Sequence, residues 1–181
     1  MKALQQGELD CLCGIYSIVN AVYFVSNKKI KRKPLFHELL LAYMNNWGIY
    51  DLLTSGLDLH QMKYLLNHTA KIHKQIRIDY PNIRRHSKIP LLISSHLESQ
   101  SNSIVLFSTN YHWSLIKSYD NEKLVLFDSC GTNSVKISEI LPSLFSYYFK
   151  GFCYLHLSSC YFFINILISM ECNRLGKAFL D

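Results

Sequence analysis

Three residue types that together make a thiol catalyst stand far apart in this chain. Cys13 opens the apolar run "CGIYSIVNAVYFV", His112 opens "HWSLIKSY", and Asp128 ends "KLVLFD". A thiol that attacks a carbonyl needs four things: a sulfur that can ionise, a base for its proton, a group that orients the base, and donors for the oxyanion. The sequence offers a candidate for each.

Cys13 sits where a loop enters a helix, and the positive end of a helix dipole favours negative charge placed there. Gly14, directly after it, permits close backbone approach. Taken alone, such a cysteine is more often a small core residue. His112 begins a β-branched and aromatic strand, from which it can project into a cleft. Asp128 closes an apolar strand, where it could simply cap a turn. Yet two antiparallel strands joined by a short turn bring positions 112 and 128 side by side. There the carboxylate can orient the imidazole and stabilise it when charged. Upstream, Gln5 and Gln6 offer side-chain N–H groups for an oxyanion. The stretch "DCLCG" also leaves a choice of sulfur. Cys13 fits the helix start and is the preferred nucleophile, with Cys11 as the alternative. Gln6 is preferred to Gln5 as the oxyanion donor.

Composition narrows the setting. The 181 residues suit one domain with a sizeable core, and 49% hydrophobic and 13% aromatic residues are globular values. A net charge of +6 permits an acidic partner. However, "NKKIKRKP" (27–34) holds five of the nineteen Lys and Arg residues, so the excess reads as a solvated basic loop. No nucleic acid is expected. Six cysteines are even in number, but a domain of this size needs no disulfide staples. The start "MKALQQGELD" carries no apolar signal region, so a cytoplasmic, reducing location is expected. Peripheral membrane association, or delivery as an effector, is left open. No CxxC pair is present and the eight histidines lack ligand spacing beyond the loose pair His68 and His73. No metal or other cofactor is expected.

The elements that must position these residues follow from periodicity. Helices are expected from Cys13 to about Ser26, from Pro34 through "PLFHELLLAYMNN" to a stop at Gly48, and from Asp58, where Gln61 completes a capping box. Thereafter "KQIRIDY", "SIVLFST", "HWSLIKSY" and "KLVLFDS" read as short strands, with "YDNEK" as a hairpin connection. Helices first and strands second give an α+β domain over residues 1–150. Residues 152–170 contain no Asp, Glu, Lys or Arg. Residues 151–181 are therefore expected either to complete the domain as a strand and helix or to form a membrane-associating tail.

The order glutamine, cysteine at a helix start, strand histidine, aspartate resembles the papain-like cysteine peptidase superfamily. Two branches are similar. Bacteriocin-leader-processing (double-glycine) peptidases carry Gln-x-x-x-x-Asp-Cys-Gly, then a strand histidine and an aspartate; Josephin-type deubiquitinases carry "LCA" and "HW", compared with "LCG" (12–14) and "HW" (112–113) here. The resemblance covers residues 5–24 and 105–132. It implies a papain-like fold with Cys13 as nucleophile, His112 as general base and acid, Asp128 as orienter and Gln6 in the oxyanion hole. It implies a peptidase cleaving an amide or isopeptide bond, with a protein or peptide substrate such as a Gly-rich leader or a ubiquitin-like C-terminus. Two departures stand out. The glutamines lie further from Cys13 than in those families, whereas "QQGELDC" fits the double-glycine pattern if counted from Cys11, with Leu12 in the glycine's place. The same chemistry could serve a deamidase or acyltransferase effector or toxin, and a non-catalytic binding module could keep the same fold.

Overall fold

The computed structural model describes residues 1–7, 10–81, 89–99, 102–109, 112–120, 122–137 and 151–157. Within them lie five helices, α1 (Cys13–Val25), α2 (Arg32–Met44), α3 (Ile49–Ser55), α4 (Leu59–Ile72) and α5 (Ile89–Ser99). Six strands accompany them: β1 (Ile76–Asp79), β2 (Ile104–Ser108), β3 (Trp113–Asp120), β4 (Lys123–Leu126), β5 (Ser134–Lys136) and β6 (Gly151–Leu157).

The strands form one sheet in the order β1-β6-β2-β3-β4-β5. Every pairing is antiparallel. The central strands alternate, and the alternation builds two cores. Ile104, Leu106, Trp113 and Leu115 face α1, whereas Val105, Phe107 and Ile116 join Ile93 of α5, Leu124 and Leu126 on the opposite side. The molecule is thus layered helix, sheet, helix, with the sheet buried on both faces where β2 and β3 run.

Helix α1 lies across the sheet with Ile15, Ile18, Val19, Ala21, Val22 and Val25 fully buried. No side chain caps its start. Its orientation comes instead from burial and from two polar anchors. Ser17 Oγ donates to the Trp113 carbonyl at 2.9 Å. Asn20 takes the Leu4 N–H at 2.7 Å and donates to the Leu4 carbonyl at 3.0 Å, tying the N-terminal segment to α1. Buried polar groups satisfied this way fix register as well as contributing stability.

Helix α4 begins where its sequence predicts. The Asp58 side chain accepts the Gln61 N–H at 2.8 Å and the Gln61 side chain accepts the Asp58 N–H at 2.9 Å, a complete capping box. The expected stop of α2 at Gly48 is corrected. That helix ends at Met44, and Gly48 caps the short α3, a seven-residue helix with too few turns to show a period. Neither α5 nor β5 was predicted by periodicity.

The hairpin of β3 and β4 is the element that matters most for the site. Ile116 pairs with Leu126, and the Phe127 N–H donates to the Leu115 carbonyl at 2.9 Å, which carries the pairing beyond the strand end. Position 114 therefore faces 128 across the hairpin, with 112 on the same side two residues back. The last strand, β6, sits between β1 and β2, opposite Ile76–Asp79 and Ile104–Ser108. Residues 158–181, over which an apolar helix or membrane tail was expected, lie outside the described residues. No helix among the described residues is long and apolar enough to cross a membrane.

Candidate active site

Cys13, His112 and Gln6 line one cleft of about 260 Å³. The first turn of α1 supplies the cysteine, the residue before β3 supplies the histidine, and the segment preceding α1 supplies the glutamine. The opposite wall is Ser55–Leu59, the turn from α3 into α4. That wall is fixed to the sheet because the buried Trp113 Nε1–H donates to the Leu57 carbonyl at 2.9 Å. It also presses on α1: a Cβ added to Gly14 would come within 2.7 Å of Leu57 Cδ1. Gly14 thus lets the wall close over the helix start.

Asp128 Oδ1 lies 2.7 Å from His112 Nε2. The carboxylate side chain is 1% exposed and the imidazole 28% exposed. Its other partners are the Ser114 hydroxyl, which donates to Oδ1 at 2.6 Å, and the Cys130 N–H, which donates to Oδ2 at 2.8 Å. Burial pushes the carboxyl upward, but the His112 bond, the Ser114 bond, the imidazolium charge and the Cys130 N–H outweigh it and hold Asp128 below its ordinary value. His112 moves the other way. Burial pulls it down, while its bond to Asp128, its interaction with the Cys13 sulfur and the charges of both raise it to about 9. At neutral pH the histidine is protonated, and an imidazolium with a sulfur on one side and a carboxylate on the other can hold a thiolate.

The two neighbouring thiols differ from Cys13. Cys11 Sγ donates to the Thr54 carbonyl at 3.4 Å, so this sulfur braces the cleft wall. Cys130 is exposed, with its sulfur 3.8 Å from His112 Nδ1. Burial of its sulfur and then the Asp128 charge push its thiol upward. All three of these cysteines are free. His112, Asp128 and Cys130 together place a nitrogen, an oxygen and a sulfur within 4.8 Å of one another, the grouping among the described residues that could gather a metal ion. Both Asp128 oxygens already accept hydrogen bonds.

The glutamines also separate. Gln6 is half-buried in the cleft, where its Nε2 donates to the Asp10 carbonyl at 3.4 Å. Gln5 Nε2 instead donates to the Asp128 carbonyl at 3.1 Å, outside the cleft lining. Sequence reasoning missed Ser114 and Cys130. For Ser114 a signal existed: it is a hydroxyl in an otherwise apolar stretch, on the same strand face as His112.

No family profile matches the chain. No curated protein matches it either. Among solved structures it is similar to a double-glycine-motif protease from an AMS/PCAT transporter, crystallised in complex with the leader peptide. The two share 11% identity with a TM-score of 0.50, over 87% of this chain and 91% of that one. The likeness shows the fold alone: an α+β domain built like that protease.

Proposed function

We propose that the protein is a cysteine peptidase that hydrolyses an amide or isopeptide bond through a thioester. Cys13 is the nucleophile, His112 its general base and then the acid for the leaving amine, Asp128 the orienter, and Gln6 an oxyanion donor. The observation that carries this reading is His112 held between Asp128 and the Cys13 sulfur in one cleft, with the imidazole raised to about 9. An imidazolium beside the sulfur stabilises the thiolate form that attacks. The sulfur adds to the carbonyl carbon, and the carbonyl electron pair moves to oxygen, where Gln6 Nε2 and a backbone N–H of the α1 start stabilise it. Collapse expels the amine, which takes the His112 proton. Water, deprotonated by His112, then adds to the thioester, and collapse releases the acid and returns the sulfur as thiolate beside the imidazolium.

A peptide substrate is supported by the structural neighbour, which was solved with its leader peptide. Leu57 packs on Gly14 at the α1 start and Gly56 on Cys11 just before it, which brings the wall close to the nucleophile. That shape favours small residues beside the scissile bond, as in a Gly-rich leader or a ubiquitin-like C-terminus. The test is hydrolysis of fluorogenic peptides carrying Gly-Gly, or Ala-Ala or Leu-Leu, before the cleaved amide. Cleavage of the Gly-Gly peptide that disappears in Cys13→Ala supports the reading. Hydrolysis that survives that substitution overturns it.

A further inference from the structure

We propose that Ser114 is a positioning residue, whose hydroxyl holds the Asp128 carboxylate against the His112 ring. The kinetic half of this inference rests on the peptidase reading; the geometric half does not.

Ser114 is 2% exposed on a strand whose neighbours on that face, Val105, Phe107 and Ile116, are buried and apolar. A buried hydroxyl at such a place costs stability unless it is bonded. Its bond goes to Asp128 Oδ1 at 2.6 Å, the same oxygen that His112 Nε2 approaches at 2.7 Å. Since the hairpin places 114 directly across from 128, the hydroxyl and the imidazole reach one oxygen from successive positions of one strand face. The Cys130 N–H takes Oδ2 at 2.8 Å. Three donors thus converge on the two oxygens, so the carboxylate stays an acceptor and His112 keeps a proton on Nε2. Nδ1 then faces sulfur, with Cys130 Sγ 3.8 Å away. The titratable groups around this carboxylate are His112 before β3, Cys130 after β4, and Cys13 of α1 beyond the ring.

The full chain serves for the test. In Ser114→Ala, the imidazole titration of His112, followed by NMR and assigned with His112→Asn, moves down, because a carboxylate free to turn away from the ring supports its charge less. On the Gly-Gly peptide kcat falls about tenfold, with KM nearly unchanged, because the loss lies in the charged transition state. Ser114→Thr keeps a hydroxyl and brings both values back toward the parent. A folded Ser114→Ala protein with unmoved titration overturns the proposal. So does a loss that Ser114→Thr fails to restore at unchanged thermal stability, which would assign Ser114 to packing alone. The titration needs no turnover. A parent chain that cleaves no peptide defeats the peptidase reading, while the same curves still decide what Ser114 does.

Discussion

The Gln6 backbone N–H donates to the Ser129 carbonyl at 3.1 Å, one residue beyond Asp128. Beside it, Gln5 Nε2 reaches the Asp128 carbonyl at 3.1 Å. The loop that carries the aspartate therefore also holds the glutamine segment, and Asn20 pins Leu4 of that segment to α1. Three pieces of the site, distant in sequence, share one mechanical frame. Gln6 owes its place to these tertiary bonds, which is why a count of residues back from the cysteine does not locate it.

The two glutamines should separate in experiment. Gln6→Ala is expected to lower kcat by about 10²–10³-fold, the usual loss of one oxyanion donor, with the fold intact. Gln5→Ala is expected to cost mainly stability, about 1 kcal/mol for one hydrogen bond, read by urea denaturation. Kinetics of the two variants that come out reversed would exchange their roles.

Thiol labelling should distinguish the described cysteines at pH 7. Cys13 is expected to carry the fast phase of iodoacetamide alkylation, which Cys13→Ala removes and His112→Ala slows. Cys130 is exposed, but its thiol is pushed up by burial and the Asp128 charge, so it reacts slowly despite its access. Cys11 is braced on the Thr54 carbonyl and also reacts slowly. Peptide mass mapping of the labelled protein checks this, and a fast phase on Cys11 would move the nucleophile.

The raised histidine gives a pH dependence with a definite sign. His112 binds its proton up to about 9, against 6.5 for a free imidazole. Between those values the folded state holds more protons than the unfolded one, so stability falls as pH rises there. The contribution is complete below 6.5 and gone above about 9. Peptidase activity should fall on the alkaline side through the same range as the imidazolium is lost. Asp128→Asn removes the partner that raises His112, so both limbs should shift to lower pH, with kcat down by about 10²-fold or more. Thermal melts and initial rates from pH 5 to about 10 test both parts; an alkaline limb unchanged in Asp128→Asn would contradict them.

What was legible in the sequence follows from what each signal depends on. Helix α1, the α4 capping box and the β3–β4 hairpin rest on local periodicity and side-chain chemistry, and these are written in consecutive residues. Helix α3 and strand β5 have seven and three residues, too few to show a period. Cys13, His112 and Asp128 stood out in the sequence because each sits at or next to an element boundary. Ser114 showed in the sequence only as a hydroxyl in an apolar stretch, because its role depends on which residue lies across the hairpin. Nor could Cys11 be told from Cys13 by spacing. What separates them is the direction each sulfur takes, one toward Thr54 and one toward His112.

The cleft wall gives a last test that turns on two glycines. Gly56 has φ +75° and ψ −160°, a region essentially closed to other residues, and a Cβ there would lie 2.8 Å from the Cys11 carbonyl oxygen. Backbone opposes backbone at that contact, so the strain cannot be relieved by a rotamer change. Gly56→Ala should therefore cost about 2–4 kcal/mol and displace Ser55–Leu59 from the cleft. Gly14→Ala meets Leu57 instead, at 2.7 Å from Cδ1. That side chain can rotate away, but only by giving up its place over the α1 start. Its cost should be smaller, about 1–2 kcal/mol, and should show chiefly as a raised KM for the Gly-Gly peptide. Thermal melts rank the two variants, and substrate kinetics show whether the wall shapes the cleft. If Gly56→Ala melts with the parent, the Cys11–Gly56 contact is not what holds the wall in place.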